Sequence, residues 1–187
     1  MTPREPEHAD RPAVRAESGA DRAAVAALHT AAFGDDGHVA ALVEALRPAP
    51  LSFVATDGGR VVGHVVLSPA RLDAPRRLVD VLTLSPLAVL PSHQGRGLGS
   101  RLIAHALAAA DATGAPLVFL EGPPDYYGAR GFDRADEHGF RSPSLRIPPA
   151  AFQVARLGGH EPWMTGTFVY PDVFWALDCV GLRDPDA

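Results

Sequence analysis

Residues 81–103 read VLTLSPLAVLPSHQGRGLGSRLI. The first half belongs to an apolar run over 78–90, which predicts a central strand buried on both faces. Pro91 begins a turn, and the glycines that follow lead into a helix. Such a junction presents free backbone N–H groups and the positive end of a helix dipole to one point in space. The segment therefore predicts a site for a phosphate-bearing ligand.

The residues after this segment complete a βαβ unit. Apolar residues at helical spacing predict a helix over 97–112, which Gly114 can end, and the apolar residues 116–120 predict the next strand. Two strands joined through a helix in this way are parallel, with a right-handed crossover. Pro86 lies inside the first strand. Because proline has no N–H for the ladder, it predicts a bulge or a place where neighbouring strands separate.

The part of the chain before this unit predicts an antiparallel hairpin. Two strands are expected over 51–56 and 60–68, with the turn signal Asp-Gly-Gly between them. A polar, proline-containing connection over 71–77 then leads to the central strand. A hairpin next to a βαβ unit predicts a mixed β-sheet flanked by helices, which is an α/β fold.

The remaining elements are shorter. Asp21 and Asp125 are predicted to cap two helices, and Gly131 is predicted to end the second of them. A further helix is expected to end near Pro48. Strands are predicted over 13–17, 151–157 and 165–170.

Length and composition fit one domain. The chain has 187 residues, of which 47% are hydrophobic, and we expect a single domain over 13–180 with tails at 1–12 and 181–187. The net charge of −5 argues against a nucleic-acid or membrane partner, since either needs a basic face. Cys179 is the only cysteine, and neither a signal peptide nor an apolar run near ~20 residues is evident. A cytoplasmic location is therefore expected.

Three kinds of phosphate-binding loop compete for the glycines at 95, 97 and 99. A P-loop needs a lysine followed by serine or threonine, and residues 95–100 contain no lysine. The Rossmann fingerprint needs a third glycine where Ser100 stands, and its loop usually opens the domain instead of following hairpins. Neither motif fits this sequence.

The third kind of loop is suggested by a resemblance. QGRGLG at 94–99 resembles the acetyl-CoA loop of the GNAT superfamily of N-acetyltransferases, and YYGARGF at 126–132 resembles its aromatic-Tyr-x-x-x-Gly-Phe segment. The order of elements over 13–170 also matches the family. Other features are similar to a bacterial branch of predicted N-acetyltransferases. The resemblance implies a GNAT-like acyl-CoA N-acyltransferase fold.

The resemblance also implies acetyl-CoA as co-substrate. The loop N–H groups would take the pyrophosphate, and the backbone of the preceding strand would pair with the pantetheine arm. A free N–H there, that of Leu87, would donate to the thioester oxygen as in an oxyanion hole. The implied cofactor-binding residues are Leu87, Ala88, Val89, Gln94, Gly95, Arg96, Gly97, Leu98, Gly99 and Ser100.

Two further side chains are implied in the chemistry. By the family pattern, Tyr127 would stabilise or protonate the leaving thiolate. Glu121, at the end of its strand, is the first candidate for the base that takes a proton from the amine, although it could equally be an ordinary strand-end carboxylate. His64 and Glu44 are weaker candidates. The histidines lack metal-ligand spacing, so no metal is expected.

These features predict an acetyl-CoA-dependent N-acetyltransferase that acts on a primary amine of a small molecule or peptide, as a possible homodimer. Two alternatives stay open at this point. One is a non-catalytic module that binds acyl-CoA as a sensor, and the other is an acyltransferase that uses a longer acyl chain.

Overall fold

The computed structural model describes residues 12–181, so the predicted tails lie outside it except for Pro12 and Gly181. The helices of this part are α1 Arg22–Phe33, α2 His38–Ala45, α3 Leu98–Ala112, α4 Pro124–Gly128 and α5 Asp172–Ala176. The strands are β1 Ala13–Ala16, β2 Leu51–Asp57, β3 Arg60–Asp73, β4 Leu78–Val89, β5 Leu117–Glu121, β6 Asp133–Arg134, β7 Phe140–Arg141, β8 Phe152–Arg156 and β9 Gly166–Val169.

The strands form one mixed sheet, which confirms the predicted fold class. Its order is β1-β2-β3-β4-β5-β8-β6, and β9 pairs with β3 and β7. The neighbours from β1 to β4 are antiparallel, whereas β4 and β5 are parallel and are joined through α3, as predicted for the βαβ unit.

Helices cover both faces of the sheet. Phe53 and Ala55 of β2 pack in a cluster with α3, whereas Val54 between them packs with Val25 and Leu28 of α1. Successive side chains of a strand point to opposite faces, so this alternation places the sheet between the two helices. The β4–α3 junction therefore lies at the edge of a rigid layered core.

The sheet opens next to Pro86, as its position in the sequence predicts. The parallel pairing of β4 with β5 is limited to Leu82 with Val118 and Thr83 with Phe119. On the other side of β4, the register with β3 shifts between Leu84 and Leu87. The backbone of β4 beyond Thr83 is therefore separated from β5, which leaves room for a ligand between the two strands.

Two predicted boundaries were wrong, namely the end of β3 at residue 68 and the connection over 71–77. β3 continues to Asp73, so the connection covers only 74–77. The second half of β3 pairs with both β4 and β9, and Leu72 is fully buried there. This pairing with a strand almost 100 residues away overrides the polar and proline residues that suggested a turn.

Neither predicted aspartate makes a capping hydrogen bond, although Asp21 does occupy the N-cap position of α1. The Asp21 carboxylate accepts hydrogen bonds from Arg15 at 2.7 and 2.8 Å and from Ser18, and makes no capping bond to α1. Asp125 lies in the first turn of α4, whose N-cap is Pro123. In the first case an arginine on β1 competes successfully for the carboxylate.

A buried polar network lies beneath α1. Ser52 Oγ is 2.5 Å from Glu17 Oε2 and 2.8 Å from His64 Nε2, and His64 Nδ1 is 2.8 Å from His29 Nε2. Arg47 also pairs with Glu17. Burial acts to raise the pKa of Glu17, but hydrogen bonds from His64, Arg47 and Ser52 outweigh it and lower the pKa to about 2. Burial and the neighbouring His64 lower the pKa of His29 to about 3.

This network predicts a loss of stability in acid. Both groups bind protons more tightly in the unfolded chain, so stability falls as pH decreases from 6.5 towards 3 for His29 and from 4.5 towards 2 for Glu17. Between pH 7 and pH 4, we expect the uptake of a proton by His29 on unfolding to lower the free energy of unfolding by about 3 kcal/mol. Urea unfolding across this range should give a shallower pH dependence for His29→Gln than for wild type, and parallel curves would contradict the assignment.

Candidate active site

A first cavity of about 610 Å³ lies between the end of β4, the glycine loop and α4. It occupies the region where β4 has separated from β5. Most of the residues predicted to bind the cofactor line it. The lining consists of Leu87, Val89, His93, Gln94, Gly95, Gly97, Leu98, Gly99, Ser100, Tyr126, Tyr127 and Arg130.

The loop has the conformation that an anion site at a helix start requires. Gly95 and Gly97 have φ angles of +71° and +78°, a region that residues with a Cβ rarely adopt. Gly97 is the N-cap of α3, and the first backbone bond of the helix runs from the N–H of Arg101 to its carbonyl oxygen. The N–H groups of Leu98 to Ser100 precede that bond and have no partner within the helix. They are therefore available, with the helix dipole, at the wall of the cavity.

Three of the predicted cofactor residues have more specific positions. Gln94 Nε2 donates to the carbonyl oxygen of Val89 at 3.0 Å, which ties the loop to the end of β4. The Ala88 side chain packs in the cluster that contains Val25 and Leu28 of α1. At this position, therefore, only the backbone can serve a ligand at the edge of β4. Arg96 is exposed and lies outside the lining of this cavity in the described part of the chain.

Arg130 of the α4 segment is a cavity residue that the sequence did not reveal. Its Nε donates to Ser100 Oγ at 2.8 Å, its Nη1 donates to the carbonyl oxygen of Tyr126, and its guanidinium lies 3.7 Å from the centroid of the Tyr126 ring. Within residues 12–181 no carboxylate pairs with it. A positive charge is thus fixed beside the start of α3.

Tyr126 also explains the last glycine of the loop. A Cβ at Gly99 would overlap the Tyr126 hydroxyl oxygen, so a larger residue there would displace the tyrosine and, with it, Arg130. The spacing of four residues between Tyr126 and Arg130 was visible in the sequence, but their position over α3 depends on tertiary packing.

A second cavity of about 670 Å³ adjoins the first. Leu87 and Tyr127 line both cavities. The second cavity extends between α1, α2 and the C-terminal segment, and most of its wall is apolar. Its lining consists of Phe33, His38, Val39, Leu42, Leu84, Ser85, Pro86, Leu87, Glu121, Gly122, Pro123, Pro124, Tyr127, Pro148, Ala151, Tyr170, Asp178, Cys179 and Gly181.

Glu121 lies in the wall of the second cavity and is held by hydrogen bonds. Its Oε2 and Oε1 accept the N–H of Gly181 at 3.0 and 3.3 Å, and the Tyr170 hydroxyl also donates to it. Burial raises the pKa of this carboxyl despite those bonds. Glu121 is therefore not a solvated strand-end carboxylate, and a raised pKa makes it a better proton acceptor.

The Tyr127 hydroxyl belongs to a mostly buried side chain. Its ring packs edge-on against Tyr126 and Phe132, with centroids 4.9 and 5.8 Å away. Burial, and secondarily Tyr126, raise the pKa of Tyr127 to about 12. The group thus keeps its proton at neutral pH, and it belongs to a residue that lines both cavities and can act as a hydrogen-bond donor.

The weaker base candidates lie elsewhere. His64 is fully buried in the network beneath α1, and Glu44 forms ion pairs with Arg22 and Arg47 at the surface. Neither lines one of the two cavities described above. Among residues 12–181 there is no group of three or more histidine, cysteine, aspartate or glutamate side chains that could hold a metal ion. No helix in the same range could span a membrane.

Comparison with known proteins identifies the class to which this architecture belongs. A family model described as the acetyltransferase (GNAT) family matches residues 19–140. The uncharacterized N-acetyltransferase YjhQ of Escherichia coli strain K12 is 34% identical over 129 residues, which are 66% of this chain and 71% of that protein. The chain belongs to the GNAT family. The predicted family and the acyltransferase class of enzyme are thereby confirmed.

Two solved structures of the same family are also similar. YhbS, a GNAT family N-acetyltransferase from Escherichia coli in complex with CoA, has 30% identity and a TM-score of 0.82, covering 91% of this chain and 96% of its own. A GNAT family acetyltransferase from Brucella melitensis in complex with acetyl-CoA has 30% identity and a TM-score of 0.70, covering 88% and 98%. Both relatives thus bind the cofactor that the glycine loop predicts.

Proposed function

We propose that this chain is an N-acetyltransferase that transfers the acetyl group of acetyl-CoA to a primary amine by direct attack on the thioester. One observation carries the proposal. A cavity built around the glycine loop and a second, mostly apolar cavity share Leu87 and Tyr127 as common walls. Two substrates bound in these cavities would meet at that point, where both a backbone N–H and a hydroxyl are available.

The residues that line the first cavity suit the binding of CoA. The N–H groups at the start of α3 would bind the pyrophosphate, and Arg130 would add a positive charge held by Ser100 and Tyr126. The separated edge of β4 would supply backbone groups at Leu87 to Val89 for the pantetheine arm. The complexes of two relatives with CoA and with acetyl-CoA support this choice of cofactor.

The residues at the junction suit the chemistry of acyl transfer. The reaction breaks the thioester C–S bond and forms an amide C–N bond, so one proton leaves the amine and one reaches the sulfur. Glu121 would accept the first proton, and Tyr127 would donate towards the sulfur, after which exchange with solvent restores both groups. The Leu87 N–H would stabilise negative charge on the carbonyl oxygen.

A thiol-release assay with a collection of amines tests this function. We expect release of CoA that depends on an amine and yields an acetylated amine by mass spectrometry. The chain has 17 arginines and no lysine, so it offers no lysine amine of its own as an acceptor. Binding of acetyl-CoA without release would favour the sensor module. Faster release from propionyl- or succinyl-CoA would favour the acyltransferase for longer acyl chains.

Arg130→Ala is expected to raise the KM for acetyl-CoA about tenfold and to leave kcat within about twofold, because a charge-assisted contact to phosphate is lost. Arg101→Ala is the matched control, since it removes an exposed positive charge in the first turns of α3 that lies outside the cavity lining. Steady-state kinetics with varied acetyl-CoA provide the measurement. Equal KM values for the two variants would remove Arg130 from the cofactor site.

A further inference from the structure

The second cavity carries information about the acceptor. Resting on the function proposed above, we infer that the acceptor is a small primary amine with an apolar body and without a carboxylate or other anionic group. The inference depends on three properties of the cavity, which are its apolar wall, the sign of its charged groups, and the presence of Glu121 in the same lining as Tyr127.

The wall of the cavity is built from apolar side chains of several elements. Phe33 of α1 and Leu42 of α2 form one side, and the Pro123–Pro124 pair at the start of α4 lies on another. A cavity of about 670 Å³ is within the range of sites for small organic ligands. Apolar walls favour a ligand in proportion to the apolar area removed from water, so an alkyl or aromatic body binds better than a polyhydroxylated one.

The charged groups of the cavity are acidic. Glu121 and Asp178 both line it, and among the described lining residues there is no arginine. Arg146 is outside the lining and its charge also acts on Glu121, but its Nη1 is 3.3 Å from Asp178 Oδ1 and its Nε contacts Ser144, so it is already paired. The chain contains no lysine. A carboxylate on the acceptor would therefore lose its water without gaining a cationic partner, which is costly in an apolar cavity.

The same arrangement favours a cationic amine. Glu121 lies in the wall that also contains Tyr127, so an ammonium group attracted to this carboxylate is brought to the junction of the cavities. His38, at the exposed side with its Nε2 3.3 Å from Cys179 Sγ, is the remaining titratable side chain of α2 in the lining. The cavity thus selects for a positive group beside Glu121 and an apolar body against the rest of the wall.

A panel of matched amines tests the inference. With saturating acetyl-CoA, we expect kcat/KM for 2-phenylethylamine to exceed that for L-phenylalanine, which differs only by its carboxylate, by about 100-fold. In the series from ethylamine to hexylamine, kcat/KM should rise about fourfold per added methylene. Similar values for the first pair, or a flat alkyl series, would overturn the inference.

A change in the wall supplies an independent readout. Val39 lies half-buried in the lining on α2, and Val39→Arg adds the cation that the wall lacks, with Val39→Met as the control for added bulk. The ratio of kcat/KM for 2-phenylethylamine to that for L-phenylalanine should fall at least about tenfold in the arginine variant only. Melting temperatures establish that both variants fold. An unchanged ratio in a folded Val39→Arg variant would contradict the inference.

The outcomes separate this inference from the proposed function. If amines that carry carboxylates are acetylated as well as 2-phenylethylamine, the inference fails and the N-acetyltransferase function stands. If acetyl-CoA binds but no amine releases CoA, the function fails, and calorimetry with CoA present still tests the cavity. Binding of 2-phenylethylamine but not of L-phenylalanine would then support the chemistry of the cavity, and the reverse preference would overturn it.

Discussion

Tyr127→Phe is expected to lower kcat by about 100-fold, which is the lower end of the usual contribution of a positioned acid. The substitution removes only the hydroxyl of a residue that lines both cavities and keeps the ring that packs against Tyr126 and Phe132. The CoA thiolate, whose thiol has a pKa of about 8.5, then leaves without a hydrogen-bond donor. Stopped-time assays of CoA release at saturating concentrations of both substrates give the measurement.

The accompanying controls separate chemistry from structure. The dissociation constant for acetyl-CoA should stay within about twofold and the melting temperature should be unchanged, since the variant retains the ring contacts. Because burial raises the pKa of Tyr127 to about 12, the wild-type rate should show no decrease from ionisation of this group up to about pH 10. A variant that is as fast as wild type would exclude Tyr127 as the donor.

Gly97→Asp is expected to weaken acetyl-CoA binding by about 100-fold. Gly97 lines the first cavity at the start of α3, and its φ of +78° disfavours a residue with a Cβ. An aspartate adds a negative charge beside the site proposed for the pyrophosphate. Isothermal titration calorimetry with acetyl-CoA measures the effect directly.

Gly97→Asn is the matched control for this change. Asparagine has the same shape as aspartate without the charge, and it tolerates the left-handed region better than most residues. No atom lies within 4 Å of a Cβ built at this position, so both variants should fold. We expect asparagine to weaken binding only about fivefold. Equal losses in the two variants would mean that backbone strain, and not an anion site, explains the effect.

Much of the fold followed from local patterns. The glycine loop, the apolar run before it and the helical spacing after it predicted the βαβ unit, and Pro86 predicted the place where the sheet opens. These features depend on backbone properties of glycine and proline that act wherever those residues occur. The family resemblance rested on the glycine loop, the tyrosine segment 126–132 and the order of elements, and the family is confirmed by the match over 19–140.

The errors arose where distant parts of the chain meet. The extension of β3 to Asp73 depends on pairing with β9, which no local pattern reveals. Asp21 was assigned to a helix cap because Arg15 could not be placed beside it from the sequence. The predicted tail begins at Gly181, yet the N–H of this residue binds the Glu121 carboxylate.

The site was predicted less completely than the fold. The loop residues and Tyr127 follow from the motif, whereas Arg130 reaches the cavity only because α4 packs over the start of α3. Four points stay predictions. They are Glu121 as the base, the identity of the cofactor residues, the homodimer and the cytoplasmic location. The acceptor preference needed the cavity itself, since its wall combines residues that lie far apart in the sequence, from Phe33 to Gly181.

A crystal structure of the chain with CoA tests the central claim most directly, because the claim is that the two cavities meet at the reacting sulfur. We expect the pyrophosphate on the N–H groups of residues 98–100 and the sulfur within about 3.5 Å of the Tyr127 hydroxyl oxygen, facing the second cavity. A sulfur placed away from Tyr127 and Leu87, or a pantetheine arm that does not follow β4, would contradict the account.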